Sequence, residues 1–524
     1  MKLLMGNTWQ LLLWGLILVI TITSCSPSNG LGQNEASIVP SLNLPQLGDV
    51  QEPHQTGQVT LPRDAEPVNN KLPLDIDIVS QHDQTFFHSF YGLLPELRWS
   101  PDGRYLAIFA EKNGYGLWLW DCSSGSARRL VQLLDRSGQR LTSLTFFGWS
   151  KDGRSLLYAV DGIQSEDQLL GQNGVLVRQV GLDGTDKVLA WLPGEGMFIR
   201  SWSLYQDTHR LLIHRGQDLW VVDTVDGKSR QIKADLPVWD GLFWVTMSPT
   251  GEHVVYPEPD AHNHRLVILD VDSGTETVVG DVNDYSFHPV WSPDGKKVAF
   301  LSASASDQGY DFQIGEDGPL PPATTISVVT NKGQLVERYT PARQEKAGAP
   351  IWSGDSQKVA FLSASVNLVV DSFPEVKWRR LLLMSLDSGQ PQDLGQLSGD
   401  WITIGGFTPD NDAVFVYNYE AGGGVTVTLH RRDQKTILAK AAVDEVPIWW
   451  QGKLVFPRLS GNHDDHLDTQ LYLHDLGNGL QQLTDIPGWK SGVQVTDEYM
   501  AFTCADNKRY PYPLTVVVQP LPSI

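Results

Sequence analysis

Cysteine is scarce in this chain, with 3 copies among 524 residues, and charged side chains make up only 19%. So few cysteines cannot form a disulfide framework. Long Ala/Glu/Lys/Leu stretches with a helical period are also lacking, which excludes helix bundles and coiled coils. The 40 basic and 61 acidic residues leave a formal charge of −21, which disfavours binding to nucleic acid. A cationic or metal-bridged partner stays open.

Long apolar runs are missing except near the start. An unbroken apolar segment over 11–20 follows Lys2 and is shorter than the roughly 20 residues that span a membrane, so it is typical of a signal-peptide core. It leads into Ile22-Thr23-Ser24-Cys25, which resembles a bacterial lipobox. The resemblance implies a lipoprotein signal peptide over 1–24 and a lipidated Cys25. The alternative is an ordinary secretory signal with an incidental cysteine.

The next segment contains no aromatic residue. Residues 25–72 are rich in Pro, Gln, Asn and Ser, a composition that predicts a disordered tether. A flexible chain of this length has a mean reach of about 40 Å. We therefore expect the folded body, residues 73–524, to stand clear of a membrane.

Glycine, proline and tryptophan are abundant by contrast, with 48, 31 and 18 copies. From about residue 95 the chain repeats a strand ending in Trp-Ser, a tight turn and further short strands. The clearest copies are Trp99-Ser-Pro-Asp-Gly103 and Trp291-Ser-Pro-Asp-Gly295, which have the residues of a type I turn. Weaker or eroded copies begin at Trp149, Trp202, Met247, Trp352, Phe407, Trp449 and Val495.

The period of this repeat is that of a propeller blade. The Ser/Thr slot falls at positions 100, 150, 203, 248, 292, 353, 408, 450 and 496. Blades of four strands take about 40–50 residues. Apolar strands follow each slot, for example over 105–109 and 297–300, and a third apolar strand recurs, for example over 265–270.

These motifs resemble the TolB-type, WD-like β-propeller repeats of bacteria, which also occur in propellers of prolyl oligopeptidase and dipeptidyl peptidase families. The resemblance covers roughly residues 95–524 and implies the fold, but not one function, because such propellers bind proteins, gate proteases or form lyase sites. The α/β domain that precedes the propeller in TolB has no counterpart here, so partner contacts made through it do not carry over.

The sequence therefore predicts an all-β protein with a single closed β-propeller of eight or nine four-stranded blades, preceded by the tether. The ninth unit runs out after three strands. Residues 73–80 alternate apolar and polar side chains and are the expected source of the missing strand.

The candidate binding surface is the face that carries the connections between second and third strands. Several of these connections are long: 161–174, 257–264, 303–324, 363–378, 458–469 and 505–513. Long loops in compact domains usually carry function. The 303–324 loop combines two aromatic and four acidic residues that would bind Ca²⁺ or a cationic partner: Asp307, Tyr310, Asp311, Phe312, Glu316 and Asp317. The plainer reading is a solvated acidic loop.

Two other loops bring imidazoles and carboxylates together, as zinc and manganese sites do. Their residues are His262, His264, His463, Asp464, Asp465, His466 and Asp468. Polar surface loops are the default interpretation. We interpret Asp121, Asp223, Asp270, Asp387 and Asp475 as turn residues, the Trp series as core, and Cys122 and Cys504 as separate, mostly buried thiols.

Catalytic and cofactor motifs are lacking: there is no G-x-S-x-G, G-x-G-x-x-G, Walker, H-E-x-x-H or C-x-x-C sequence. The leading hypothesis is a non-catalytic, membrane-anchored binding protein of the bacterial cell envelope, with a protein or cell-wall-associated partner. The rival is a metal-dependent propeller enzyme acting on a sugar acid or lactone. The sequence leaves inner against outer membrane open.

Overall fold

The computed structural model describes residues 78–81, 84–89, 96–111, 115–133, 143–161, 174–193, 199–205, 208–236, 245–259, 264–281, 284–304, 325–342, 345–367, 375–397, 401–419, 424–432, 434–442, 448–459, 468–475, 479–505 and 514–521. All of them belong to the unit Gln58–Ile524. Every regular element in these ranges is a β-strand, and no helix within them is long and apolar enough to cross a membrane. The predicted signal peptide and tether, residues 1–24 and 25–72, lie outside the described residues.

The strands form nine antiparallel sheets, each of which is one blade, so the predicted propeller is confirmed with nine blades. Blade 1 contains β3 (Glu96–Trp99), β4 (Tyr105–Glu111), β5 (Tyr115–Asp121) and β6 (Ser126–Leu133). Blade 2 contains β7 (Ser143–Trp149), β8 (Ser155–Asp161), β9 (Gly174–Gly181) and β10 (Asp186–Pro193). Blade 3 contains β11 (Ile199–Leu204), β12 (Arg210–Arg215), β13 (Asp218–Asp223) and β14 (Ser229–Lys233). Blade 4 contains β15 (Thr246–Met247), β16 (His253–Pro259), β17 (His264–Asp270) and β18 (Glu276–Val279).

The remaining blades repeat this order. Blade 5 contains β19 (Asp284–Trp291), β20 (Lys297–Ser304), β21 (Thr325–Thr330) and β22 (Leu335–Tyr339). Blade 6 contains β23 (Glu345–Ala347), β24 (Ile351–Trp352), β25 (Lys358–Asn367), β26 (Glu375–Ser385) and β27 (Gln392–Gln396). Blade 7 contains β28 (Trp401–Phe407), β29 (Val414–Tyr419), β30 (Gly424–Arg431) and β31 (Gln434–Ala442). Blade 8 contains β32 (Ile448–Trp450), β33 (Lys453–Leu459), β34 (Thr469–Asp475) and β35 (Gly479–Gln482).

Blade 9 combines strands from both ends of the folded body. It contains β36 (Trp489–Val495), β37 (Tyr499–Ala505) and β38 (Leu514–Pro520), followed by β2 (Gln84–Ser89) and β1 (Ile78–Gln81). The strand that pairs with β38 is β2, with Thr85 opposite Val518. The expectation that residues 73–80 supply this strand is therefore corrected, because β1 pairs with β2 as a fifth, outermost strand.

The hydrophobic core lies between the blades. Nine clusters of buried apolar residues each join two neighbouring blades. In β4, Leu106 and Ile108 pack toward blade 9, whereas Ala107 packs toward blade 2. Because side chains alternate between the two faces of a strand, a blade with both faces buried must have a continuous apolar strand. The cluster between blades 9 and 1 closes the ring.

The Trp residues of the repeat pack between blades as predicted, and three of them also bond to the preceding blade. The indole Nε1 atoms of Trp149, Trp291 and Trp352 donate to the carbonyl oxygens of Arg98, Thr246 and Val290, at 2.9, 3.2 and 3.0 Å. Each acceptor lies one residue before the Trp slot of the preceding blade. The repeated Trp therefore sets the register between adjacent blades.

The turns between first and second strands share one hydrogen-bonding pattern. Ser292 Oγ donates to Asp294 Oδ1 at 2.6 Å and accepts from Lys297 N at 2.9 Å. The Gly295 amide donates to the Ser292 carbonyl at 2.8 Å, and Gly295 has φ 68°. The same hydroxyl–carboxylate pair occurs as Ser100–Asp102, Ser150–Asp152, Ser353–Asp355 and Thr408–Asp410. The predicted tight turns are confirmed, and their Ser or Thr hydroxyls stabilise each turn by hydrogen bonds within it.

Two of these turns replace the glycine by a polar residue with positive φ. Ser356 has φ 60° and Asn411 has φ 57°. Such a backbone costs on the order of 1 kcal/mol in a residue other than glycine. Both side chains bond to the turn of the preceding blade: Asp294 N donates to Ser356 Oγ at 3.1 Å, and Gly354 N donates to Asn411 Oδ1 at 2.7 Å. These bonds offset the strain and join adjacent turns.

The bond from Trp352 predicts a measurable difference between two matched Trp→Phe variants. Trp352→Phe removes the bond to Val290 and leaves that carbonyl without its indole donor, so we expect a loss of about 1 to 2 kcal/mol in unfolding free energy beyond the change of ring. Trp99 occupies the same slot, but its buried Nε1 has no partner among the described residues. Trp99→Phe should therefore cost less, as measured by urea unfolding midpoints at equal m-values. Equal losses in both variants would show that the indole bond contributes nothing.

Candidate functional site

The two ends of the ring differ in how the strands connect. First and second strands meet at the turns described above, and we name that end the short-turn face. Second strands end, and third strands begin, at the opposite end, which we name the long-loop face. The predicted binding surface is this second end, and most of its predicted residues lie outside the described ranges: His262, Asp307, Tyr310, Asp311, Phe312, Glu316, Asp317, His463, Asp464, Asp465 and His466.

Two of the predicted metal ligands are described. His264 is the first residue of β17, opposite Pro259, and thus belongs to a strand rather than to a loop. Asp468 Oδ1 accepts a 2.6 Å hydrogen bond from the Gly488 amide, and Thr469 N donates to the Gly488 carbonyl. Asp468 therefore ties the start of β34 to the connection between blades 8 and 9. Among the described residues no three His, Cys, Asp or Glu lie together as a metal site would require.

Strand pairing also shortens two of the predicted loops. β25 and β26 pair from Lys358↔Ser385 out to Asn367↔Glu375, so this hairpin extends well into the segment predicted as the 363–378 loop. Likewise, β16 and β17 pair as far as Pro259↔His264. At these strand ends the backbone N–H and C=O groups of polar residues are paired with the neighbouring strand. The sequence did not indicate these extensions, because the strand prediction followed apolar residues.

Lys490 is a buried cation that the sequence analysis did not single out. It lies in β36, is fully buried, and its Nζ donates to the carbonyls of Gly488, at 2.9 Å, and Ile486. Burial lowers the pKa of the Lys490 ammonium. Cys504 Sγ, opposite Lys490 in the ladder, donates to the Pro487 carbonyl at 3.3 Å. The ammonium and the thiol thus hold the connection between blades 8 and 9 against the ends of β36 and β37.

Two further buried cations lie, like Lys490, toward the long-loop face. Arg215 is the last residue of β12 and Lys346 lies in β23, and both are less than a tenth exposed. Burial lowers the pKa of Lys346. Buried charges cost free energy unless they are paired or hydrogen bonded. The only sequence signal for these residues is a Lys or Arg within or at the end of a strand.

The first strands, which surround the ring axis, contain a repeated irregularity. In blades 2, 3, 5, 7 and 9 the first strand pairs with the second through a β-bulge. In blade 5 the bulge contains His288, which has φ 54°, and burial lowers its pKa. Bulges bend a strand and redirect its side chains, and they are frequent beside functional sites. Each of these five first strands is therefore bent locally between its long-loop end and its short-turn end.

The acidic residues at the ends of third strands are turn residues, as predicted. Asp121 Oδ1 accepts from Ser123 N, Asp223 Oδ1 from Val225 N and Asp270 Oδ1 from Ser273 N, each at 2.8 Å. The following glycines have positive φ, for example 59° at Gly125. Asp387 is followed by Gly389, which has φ 67°, and Asp475 ends β34 with its Oδ2 3.6 Å from Lys453 Nζ.

The two thiols are separate, also as predicted. Cys122 is partly exposed and Cys504 is buried, and neither forms a disulfide. Burial raises the pKa of the Cys122 thiol to about 11. Cys122 follows the end of β5 at the short-turn face. Cys504 lies near the end of β37, which is at the long-loop face because β37 is a second strand.

Comparisons with known proteins give only distant structural similarity. No protein-family model and no curated protein matches the chain. Similar solved structures include an oligogalacturonate lyase in complex with manganese, at 14% identity, covering 69% of this chain and 97% of that one, with a TM-score of 0.36. Others are Porphyromonas gingivalis dipeptidyl peptidase 4 (12%, 80% and 65%, TM-score 0.47) and a putative TolB from Agrobacterium tumefaciens (20%, 54% and 88%, TM-score 0.27). Similarity at this level carries no argument about activity.

His214 predicts a pH dependence of stability. It is 2% exposed, and its Nδ1 lies 3.5 Å from Ser201 Oγ. Burial, with the nearby Arg200 charge, lowers its pKa from 6.5 to about 4. The folded state therefore favours the neutral imidazole. The contribution of neutral His214 to the unfolding free energy is fully present above pH 6.5, and about 3 kcal/mol of it is lost as the pH falls to about 4 and below.

The matched variants are His214→Gln, which has no titrating imidazole at this site, and His209→Gln, which changes an exposed histidine just before β12. We expect His214→Gln to flatten the fall in unfolding free energy between pH 6.5 and 4, and His209→Gln to leave it unchanged. Denaturant unfolding at several pH values measures both slopes. An unchanged slope in His214→Gln would contradict the assignment.

Proposed function

We propose that this chain is a lipid-anchored, non-catalytic β-propeller of the bacterial cell envelope that binds a protein or cell-wall-associated partner on its long-loop face. The observation that supports the proposal is the difference between the two ends of the ring. One end is occupied by internally bonded turns, and the other carries the long, acidic, aromatic segments of the sequence.

The described polar groups of the short-turn face form hydrogen bonds with one another. The hydroxyl–carboxylate pairs bond within each turn, and cationic side chains join one turn to the next. Arg210 Nη1 donates to the Gly251 carbonyl at 3.0 Å, Lys297 Nζ to the Ser356 carbonyl at 3.1 Å, and Lys358 Nζ to the Asn411 carbonyl at 3.0 Å. A partner would have to compete with these bonds, so this end is a poor surface for recognition.

The long-loop face has the opposite character. The chain between β20 and β21 includes Asp307, Asp311, Glu316 and Asp317 without a basic residue, and the chain between β33 and β34 includes Asp464 and Asp465. Acidic segments with interspersed aromatic residues suit a partner with a cationic, partly apolar surface. The topology starts and ends all these segments at one face, which gives them a common, rigid base.

The proposed location rests on the sequence motif around Cys25. A diacylated cysteine provides the two or more acyl chains that stable membrane anchoring requires. The metal-dependent enzyme remains an alternative that rests on His262, His264, His463 and His466, and no contact among the described residues favours it.

Site-specific photocrosslinking tests the binding face. A photoreactive residue at exposed Arg458, near the long-loop end of β33, should crosslink to an envelope partner in cells. The matched position in the same blade is Leu480, which is 42% exposed near the short-turn end of β35 and should give much less of this product. We expect at least about a tenfold difference in yield, because contact photocrosslinking requires proximity.

His463→Ala combined with His466→Ala is the control that separates the two functions. The crosslink from position 458 should persist in this variant, since a scaffold does not need a metal at these histidines. Loss of the crosslink together with loss of a stoichiometric metal from the purified protein would contradict the non-catalytic proposal.

Cys25→Ser tests the anchor. In detergent phase partitioning the native chain should enter the detergent phase, and the variant should move to the aqueous phase, because a serine cannot carry the thioether-linked lipid. Cys122→Ser is the matched control and should leave partitioning unchanged. A Cys25→Ser chain that stays in the detergent phase would show another means of membrane attachment.

A further inference from the structure

The ring contains one junction that no hairpin closes. In eight of the nine sheets the strand order follows the chain order, so each outer strand is joined to its neighbour by a short connection. In blade 9 the neighbours are β38 and β2, which are distant in sequence. Five residue pairs form this junction, from Thr85↔Val518 to Ser89↔Leu514. We name it the seam.

The inner side of the seam does not depend on β2. β38 pairs along its other edge with β37 through seven residues, from Tyr499↔Pro520 to Ala505↔Leu514. Val516 and Val518 are buried in the cluster with blade 1, and Val517 is buried in the cluster with blade 8. These contacts keep β38 in place when β2 leaves it, so the departure of β2 exposes a preformed strand edge.

In the described backbone, the outer side of the seam is a two-stranded hairpin. β1 pairs with β2 over four residues, from Ile78↔Phe87 to Gln81↔Gln84, and the only described strand that β1 pairs with is β2. An isolated two-stranded hairpin is marginally stable in water. Local opening concentrates at the peripheral elements of a fold.

We propose that the edge of β38 is a strand-acceptor site which residues 78–89 occupy reversibly. The ligand class is an extended peptide that adds a strand in antiparallel register, and the occupant in this chain is its own segment 84–89. Backbone hydrogen bonds supply the affinity in this mode of recognition. The proposal does not depend on the lipid anchor.

Cutting the connection between hairpin and ring tests reversibility. A protease site inserted after Gly92 in the full-length chain allows cleavage between β2 and β3. After cleavage, the N-terminal fragment should co-elute with the ring in size-exclusion chromatography. A large excess of a synthetic peptide with the sequence of residues 76–91 should then displace it.

The control peptide carries Phe86→Pro and Phe87→Pro. Adjacent residues of a strand direct their amides to opposite edges, so one of the two prolines removes an amide that faces β38. This peptide should fail to displace the fragment. Immediate separation after cleavage would overturn the seam as a binding site, and retention of the fragment in the presence of the native peptide would overturn its reversibility.

Hydrogen exchange on the intact chain provides a measurement that needs no insertion. The matched strand is β21, which occupies the position of β38 in blade 5 and pairs with β22 through a short connection. Amides of β38 that face β2 should exchange at least about tenfold faster than amides of β21 that face β22. Amides of β38 that face β37 should stay protected. Equal exchange at β38 and β21 would contradict reversible opening.

Discussion

Apolar contact between neighbouring blades is the interaction on which the whole structure depends. A four-stranded sheet that is apolar on both faces cannot fold alone in water, because one face would always remain exposed. Nine buried clusters, one at each blade junction, solve this problem only when the ring is complete. The apolar strands and the repeated Trp are therefore consequences of one constraint. A propeller has no partly folded intermediate in which every blade is covered.

The polar groups are arranged around that constraint. Turns at the short-turn face form hydrogen bonds within themselves and to their neighbours, so that end of the ring is rigid. The turn carboxylates stay ionised because hydrogen bonds from the Ser or Thr hydroxyls lower the pKa of Asp102, Asp152, Asp355 and Asp410. Toward the long-loop face, Lys490 and Asp468 both form hydrogen bonds with Gly488, in the connection between blades 8 and 9. If the chain is the binding scaffold that we propose, the rigid short-turn end limits the entropy lost when a partner binds.

Sequence reasoning recovered the parts of the fold that repeat, and it failed where a residue departs from the repeat. The Trp-Ser-Pro-Asp-Gly turns were predictable because every position has a local physical role, such as the positive φ of Gly295. The closing strand was misplaced because residues 73–80 alternate apolar and polar side chains, whereas residues 84–89 (QTFFHS) do not, and only the pairing with β38 identifies 84–89. Lys490 was missed because its partners are backbone carbonyls, which have no sequence signature.

The seam also fixes where the chain enters the ring. Ser89 pairs with Leu514 at the long-loop end of β38, and Ile78 pairs with Phe87 close to that end. The chain therefore enters β1 from the side of the long-loop face.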